Sequence, residues 1–350
     1  MKNRKVRVAI HYNESIFKHS TSWHFAWINY CEANNIDYSI VDCYKYDILE
    51  TLKNYDCLVW HFSHYSLQDM LFARSILMSA ENMGLKVFPD VPTAWHFDDK
   101  IAETYLLDSI QAPTPKAYMF YTLKDFVTWL DNDSKFPIVA KLRCGSGSNN
   151  VKLLKNRTDA YDYGKKIFGK GLVSTPSILY KGSSQLKSAK SWATIKARIK
   201  RIPDFIESFS KARRLPRQQG YVYLQEFIPN AGFDLKIVVI GDKLSFIARN
   251  IREGEFRASG SGSFYFDRSL VTKDIIDSAF SVSDRLRFQC MGYDYVIDDR
   301  DNIGKIIEMS YGFSHTTLLQ AGGYWDRSGE WHDEPLNAPE EILKHLIEVE

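Results

Sequence analysis

The first ninety residues alternate short apolar runs with stretches of helical spacing, and this rhythm restricts the fold more than any other feature. Residues 5–10, Tyr38–Asp42, Asp56–Trp60 and Lys86–Phe88 read as strands. Residues 22–34, with Trp23, Trp27, Tyr30 and Cys31 at helical spacing, and residues 66–83 read as helices between them. Strand and helix in this order predict a small parallel α/β domain over residues 1–92. Ligands of such sheets sit at the carboxyl ends of the strands. His11, His61 and His64 fall at those ends, and His315 is a further candidate for substrate contact. A hydrogen-bonded structural histidine is the stronger reading of each.

The remainder divides into 93–175, 176–219 and 220–350. A helix runs from Asp99-Lys100 to about Ile110 and a second covers 123–131. The strand Phe136–Lys141 enters the loop Cys144-Gly-Ser-Gly-Ser-Asn-Asn150, and Val151–Leu154 returns. Later strands are Tyr221–Gln225, Asp234–Ile240, Leu244–Arg249, Asp294–Asp298 and Lys305–Glu308, with a tight turn at Gly241-Asp242. Helices are expected over 273–289 and 338–350. Between Lys181 and Arg217 there are eleven Lys or Arg and two acidic residues, a local charge of +9. Apolar residues recur there at helical spacing, so 176–219 reads as a basic amphipathic insertion. It reads as a solvated lid or a surface for an anionic substrate, with membrane-surface or nucleic-acid contact as the remaining alternative.

The residues able to carry chemistry form an ordered series. Lys100 opens a helix, and Lys141 ends a strand before the Gly145-Ser146-Gly147 loop. Gln225-Glu226-Phe227-Ile228 ends another strand, a basic loop spans Arg249, Arg252 and Arg257, and Asp294 and Glu308 lie on neighbouring strands. Two lysines can neutralise a triphosphate as point charges. A glycine loop lets backbone N–H groups approach phosphates. Magnesium takes hard oxygen ligands and bridges carboxylates to phosphates. Each residue also has a bland reading: a surface helix for Lys100, a hairpin turn for the glycines, a solvated rim for the arginines.

In this order, Phe97-Asp-Asp-Lys100, Phe136–Lys141 with Gly145-Ser-Gly147, Gln225–Ile228 with Gly232-Phe-Asp234-Leu-Lys236, Arg249…Arg257 and Asp294…Glu308-Met-Ser310 resemble the ATP-grasp superfamily. The likeness is nearest to carboxylate–amine ligases that add glutamate to ribosomal protein or cofactor tails. It covers about residues 90–325 and is joined by a domain like the family's pre-ATP-grasp domain. The resemblance implies an α/β fold of two α+β lobes closing on ATP, with 93–175 the small lobe and 220–350 the large. It implies that Lys100 and Lys141 hold phosphates, Gln225–Ile228 meet the adenine and Asp234 lies near the ribose or hinge. Arg257 and Arg249 would be catalytic, with Arg257 steadying the γ-phosphate and the acyl-phosphate. Asp294, Glu308 and Ser310 would hold Mg²⁺, with Mn²⁺ as an alternative ion. Two departures stand out. Ser310 replaces the family's asparagine and is a poorer metal ligand, and Lys236 stands where an arginine is frequent.

Trp23…Tyr30-Cys31-Glu32 and Val59-Trp60-His61 resemble ATP-grasp proteins of bacterial surface-polysaccharide gene clusters. That implies a small-molecule or glycan-precursor carboxylate and an amine as substrates. A kinase, a carboxylate–thiol ligase and a non-catalytic nucleotide-binding module remain as rivals. The formal net charge of +2 gives no reason to expect nucleic acid as a partner. Five scattered cysteines suggest reduced thiols in the cytoplasm. The first apolar run is too short for a signal peptide, and no run is long enough to span a membrane. Homo-oligomerisation stays open.

Overall fold

The computed structural model describes residues 5–12, 22–64, 66–145, 150–173, 217–251 and 263–348. Val8, Ala9 and Ile10 of β1 (Arg7–His11) are completely buried, because β1 lies between β2 (Asp37–Val41) and β3 (Cys57–Val59) and is parallel to both. β4 (Lys86–Phe88) adds to β3, so the order is β2-β1-β3-β4. Parallel neighbours need crossovers, and α1 (Trp23–Ala33), α2 (Ile48–Leu52) and α3 (Leu67–Asn82) supply them. α3 begins where the Ser66 hydroxyl accepts the Asp69 N–H at 3.1 Å, satisfying a first-turn donor. The parallel α/β domain is as expected. The chain leaves it through α4 (Val91–Ala94) and α5 (Lys100–Ser109).

The second sheet is antiparallel and runs β5-β8-β6-β7, from β5 (Ala117–Phe120), β6 (Ile138–Lys141), β7 (Val151–Leu154) and β8 (Val222–Glu226). α6 (Leu123–Asn132) and α7 (Arg157–Phe168) cover it, and Phe126, Trp129, Leu154, Ile167 and Leu224 fill a core of its own. The two helices pack closely at Gly164, where a Cβ would lie 2.2 Å from Phe126 Cε1. β8 is an inner strand of this sheet, paired with both β5 and β6. A lobe boundary at 220 therefore falls too early, and the sheets divide after Glu226. The basic insertion lies outside the described residues from 174 to 216. The residues flanking it meet, since Leu172 and Gln218 exchange backbone hydrogen bonds at 2.8 Å.

Among the described residues the third sheet has seven strands. β9 (Phe233–Ile240) and β10 (Lys243–Asn250) form the hairpin expected at Gly241, with β11 (Phe264–Tyr265) at the far end of β10. α8 (Lys273–Leu286) follows, then β12 (Cys290–Ile297), β13 (Gly304–Ser310), α9 (His315–Leu318), β14 (Tyr324–Trp325) and β15 (Trp331–His332). The path is β13-β12-β9-β10-β14-β15. Its core is continuous with that of the first sheet. The last helix, α10 (Ala338–Glu348), packs on α1 and β4 as well as on β9, and Trp27 Nε1 donates to Pro339 O at 2.9 Å. The 220–350 segment is thus not a separate body: its final helix completes the first domain.

Candidate active site

Lys100 is the first residue of α5, and Asp99 caps that helix by accepting the Ala102 N–H at 3.1 Å. The Lys100 side chain turns inward, leaving the residue 4% exposed. Its ammonium donates to Gly145 O at 2.7 Å and pairs with Glu308 Oε1 at 3.0 Å. Gly145 N–H donates to Asp98 Oδ1 at 2.8 Å. Gly145 has φ 118°, and a Cβ there would lie 2.1 Å from Asn150 Nδ2, so this turn requires glycine. Lys141 ends β6 and reaches across to donate to Ile307 O at 2.8 Å. The two lysines therefore arrive at adjacent residues of β13.

Burial lowers the Lys141 pKa to about 8, outweighing the attraction of Glu308, and Lys100 adds to the fall. Burial also works against the charge on Lys100. There Glu308, Glu103 and Asp98 outweigh it and hold the ammonium above the usual lysine range. Glu103, one turn on from Lys100, is fully buried and its pKa is raised, chiefly by burial. The Met309 N–H donates to its Oε2 at 3.4 Å. The sequence reading missed Glu103, although its spacing from Lys100 on one helix face was a usable signal.

Asp294 and Glu308 are directly paired across β12 and β13, as the hairpin reading required. Lys236 pairs with Asp294 across β9 and β12. Asp294 Oδ1 receives Lys236 Nζ at 2.5 Å and Arg249 Nη2 at 3.0 Å. Arg249 donates to both oxygens of Asp234, at 2.5 and 2.9 Å. Burial raises the Asp234 pKa, with Arg249 opposing. At Asp294 burial is overcome by Arg249 and Lys236, which hold the carboxylate below its usual range. The structure thus turns Asp234 and Arg249 towards each other within the sheet. Ser310 Oγ accepts the Gly312 N–H at 3.0 Å and donates to Gly312 O at 3.3 Å.

Gln225, Glu226, Phe227 and Ile228 lie where the chain passes from the second sheet to the third. Glu226 N–H donates to Lys116 O at 2.8 Å, and its carboxylate accepts from Arg300 Nη1 at 2.9 Å. Ile228 is buried and Phe227 half-buried. Ser146, Gly147, Arg252, Arg257 and the 258–262 loop lie outside the described residues.

The histidines gather at the carboxyl end of the first sheet. His61 stacks on Trp23 with centroids 4.3 Å apart, and Trp23 also meets the His315 ring edge-on at 5.8 Å. His11 Nδ1 accepts the Cys43 N–H at 3.1 Å, a structural role. Burial lowers the His11 and His64 pKa values to about 4, so both rings are neutral near pH 7. All five cysteines are free thiols. Among the described residues no helix is long and apolar enough to cross a membrane.

No protein-family model matches the chain, and no curated protein matches it. Solved structures do. D-alanine–D-alanine ligase from Bacillus anthracis, complexed with ATP, is 13% identical with a TM-score of 0.56, covering 99% of this chain and 97% of that one. D-cycloserine synthetase DcsG is 11% identical with a TM-score of 0.58, covering 97% and 99%. The ATP-grasp ligase PsnB, complexed with minimal precursor, Mg and ADP, is 10% identical with a TM-score of 0.54, covering 97% of each chain. At these identities the likeness establishes the ATP-grasp fold over nearly the whole chain.

Proposed function

We propose that this chain uses ATP and Mg²⁺ to activate a carboxylate and join it to an amine. The observation that carries this reading is the convergence of two buried ammonium groups, Lys100 and Lys141, on Ile307 and Glu308. Both lysines neighbour the second sheet, while Glu308 belongs to the third, so a triphosphate between the sheets would meet cations from one side and a carboxylate from the other. Phosphate oxygens would replace Gly145 O and Ile307 O as partners of the ammonium groups. Gly145 would offer its backbone, Gln225–Ile228 the adenine slot, and Arg257 a charge for the developing oxyanion.

Magnesium fits the donor set. Glu308 offers hard carboxylate oxygens on a side chain that is 30% exposed, and a cation, the Lys100 ammonium, already sits beside it. Bound there, the ion would neutralise charge on the transferring phosphoryl group. The protein's own part is to position the lysines and keep water out. The structural neighbours named as ligases and a synthetase support amide or related ligation, one of them holding Mg and ADP. The likeness of the first domain to polysaccharide-cluster proteins favours a sugar acid or glycan precursor as the carboxylate, in the cytoplasm, with the basic insertion as its anion-binding surface.

The test is release of ADP and phosphate from Mg²⁺-ATP, with candidate acids offered together with a pool of amino acids and amines. Release that requires both an acid and an amine, and is lost in Glu308→Ala, supports the ligase. ADP without free phosphate, with a phosphorylated acceptor, would replace it by a kinase.

A further inference from the structure

Lys236, Asp294 and Glu308 are cross-strand neighbours on three consecutive strands, and Lys100 closes the row beyond Glu308. The signs along it run plus, minus, minus, plus. Register sets this order more firmly than side-chain rotamers do, since directly paired residues stand on one face only about 5 Å apart. The two carboxylates are not equivalent. Asp294 is buried, and one of its oxygens already meets two cations, Lys236 and Arg249. Arg249 is locked in turn by its fork on Asp234. Glu308 is more open and, among the described residues, pairs with the Lys100 ammonium alone. Ser310, the remaining oxygen donor of the set, has its hydroxyl engaged with Gly312 in both directions.

From this row we infer that Lys236 is a built-in cation: its ammonium neutralises Asp294 in place of a divalent ion, so the site takes one divalent ion per nucleotide, at Glu308. A second ion at Asp294 would have to compete with two cations already held on one oxygen of that carboxylate, in a buried setting where screening is weak. An ammonium is a compact point charge on a flexible stem. It can hold Asp294 without the six oxygen ligands that a magnesium ion demands. The inference rests on reading this cleft as the nucleotide site.

The experiment counts Mn²⁺, the probe ion, bound per protein-bound AMP-PNP, from the free-ion signal in electron paramagnetic resonance. The wild-type protein should bind one. Lys236→Gln, which removes the charge and leaves a polar side chain one atom shorter, should acquire a second. Lys236→Arg should stay at one. Two ions in the wild type would overturn the inference without recourse to any variant, and so would one ion in a folded Lys236→Gln. No binding of AMP-PNP at all would overturn the nucleotide reading itself, and this inference with it.

Discussion

Replacing Lys141 by methionine should make the free protein more stable near neutral pH while removing a contact proposed for nucleotide. Burial holds the Lys141 pKa at about 8, against an ordinary value of 10.5. Keeping the ammonium charged in the folded state at pH 7 therefore costs about 3.4 kcal/mol. The residue is 4% exposed, so little of this is lost to solvent screening. Methionine fills much the same space without charge. It forfeits the hydrogen bond to Ile307 O, worth about 1 kcal/mol. The net expectation at pH 7 is a gain of about 2 kcal/mol. Its sign follows from proton counts. Between pH 8 and 10.5 the unfolded lysine holds more protons than the folded one, so wild-type stability rises through that window. Below pH 8 both states are protonated and the full penalty applies. The advantage of Lys141→Met should therefore shrink towards zero by about pH 10. Paired urea titrations of the two proteins at pH 7 and pH 10, without nucleotide or metal, measure it. A variant less stable at pH 7, or a difference that ignores pH, would refute the argument.

Three further outcomes follow from the structure. Glu308→Ala takes the direct carboxylate partner from the buried Lys100 ammonium and should cost some stability, and the folded variant should lower Mg²⁺-dependent ADP release by at least about 100-fold in a coupled assay. Asp234→Asn leaves Arg249 facing half its former charge and should destabilise by about 3 kcal/mol, read from the urea midpoint at constant slope. Gly164→Ala forces a methyl group against the Phe126 ring and should cost about 1–3 kcal/mol, a loss that Phe126→Leu in the same chain partly restores.

The parallel first domain was legible because its strands are short, apolar and punctuated by helices of crossover length. The two buried lysines of the candidate site could be picked out because each stands at a boundary, one at a helix start and one at a strand end, where polar residues are expected to face a ligand. β5 was not legible: Ala117–Phe120 is half-buried throughout and shows no alternation, and only its pairing with β8 makes it a strand. α7 was missed although its buried Ala160, Tyr163, Gly164 and Ile167 fall at helical spacing, because Gly164 stands in mid-helix and the exposed side carries Asp162, Lys165 and Lys166. The Asn156 side chain nevertheless caps it by accepting the Asp159 N–H at 2.9 Å, a signal present in the sequence. The partners of Asp294 could not be read. They depend on which residues of β9 and β10 come into register with β12, and composition does not set register.

The packing of α10 on α1 has a consequence for how the protein is made. Trp27 and Pro339 are 312 residues apart, yet the Trp27 indole finds its acceptor only when Pro339 arrives. At ribosomal speeds of about 5–20 residues per second, the first domain waits roughly 15–60 s with that indole unmatched. The segment synthesised first is therefore among the last to mature. A ribosome stalled before codon 338 should leave a nascent chain whose opening domain is digested by protease at sites that the released protein protects.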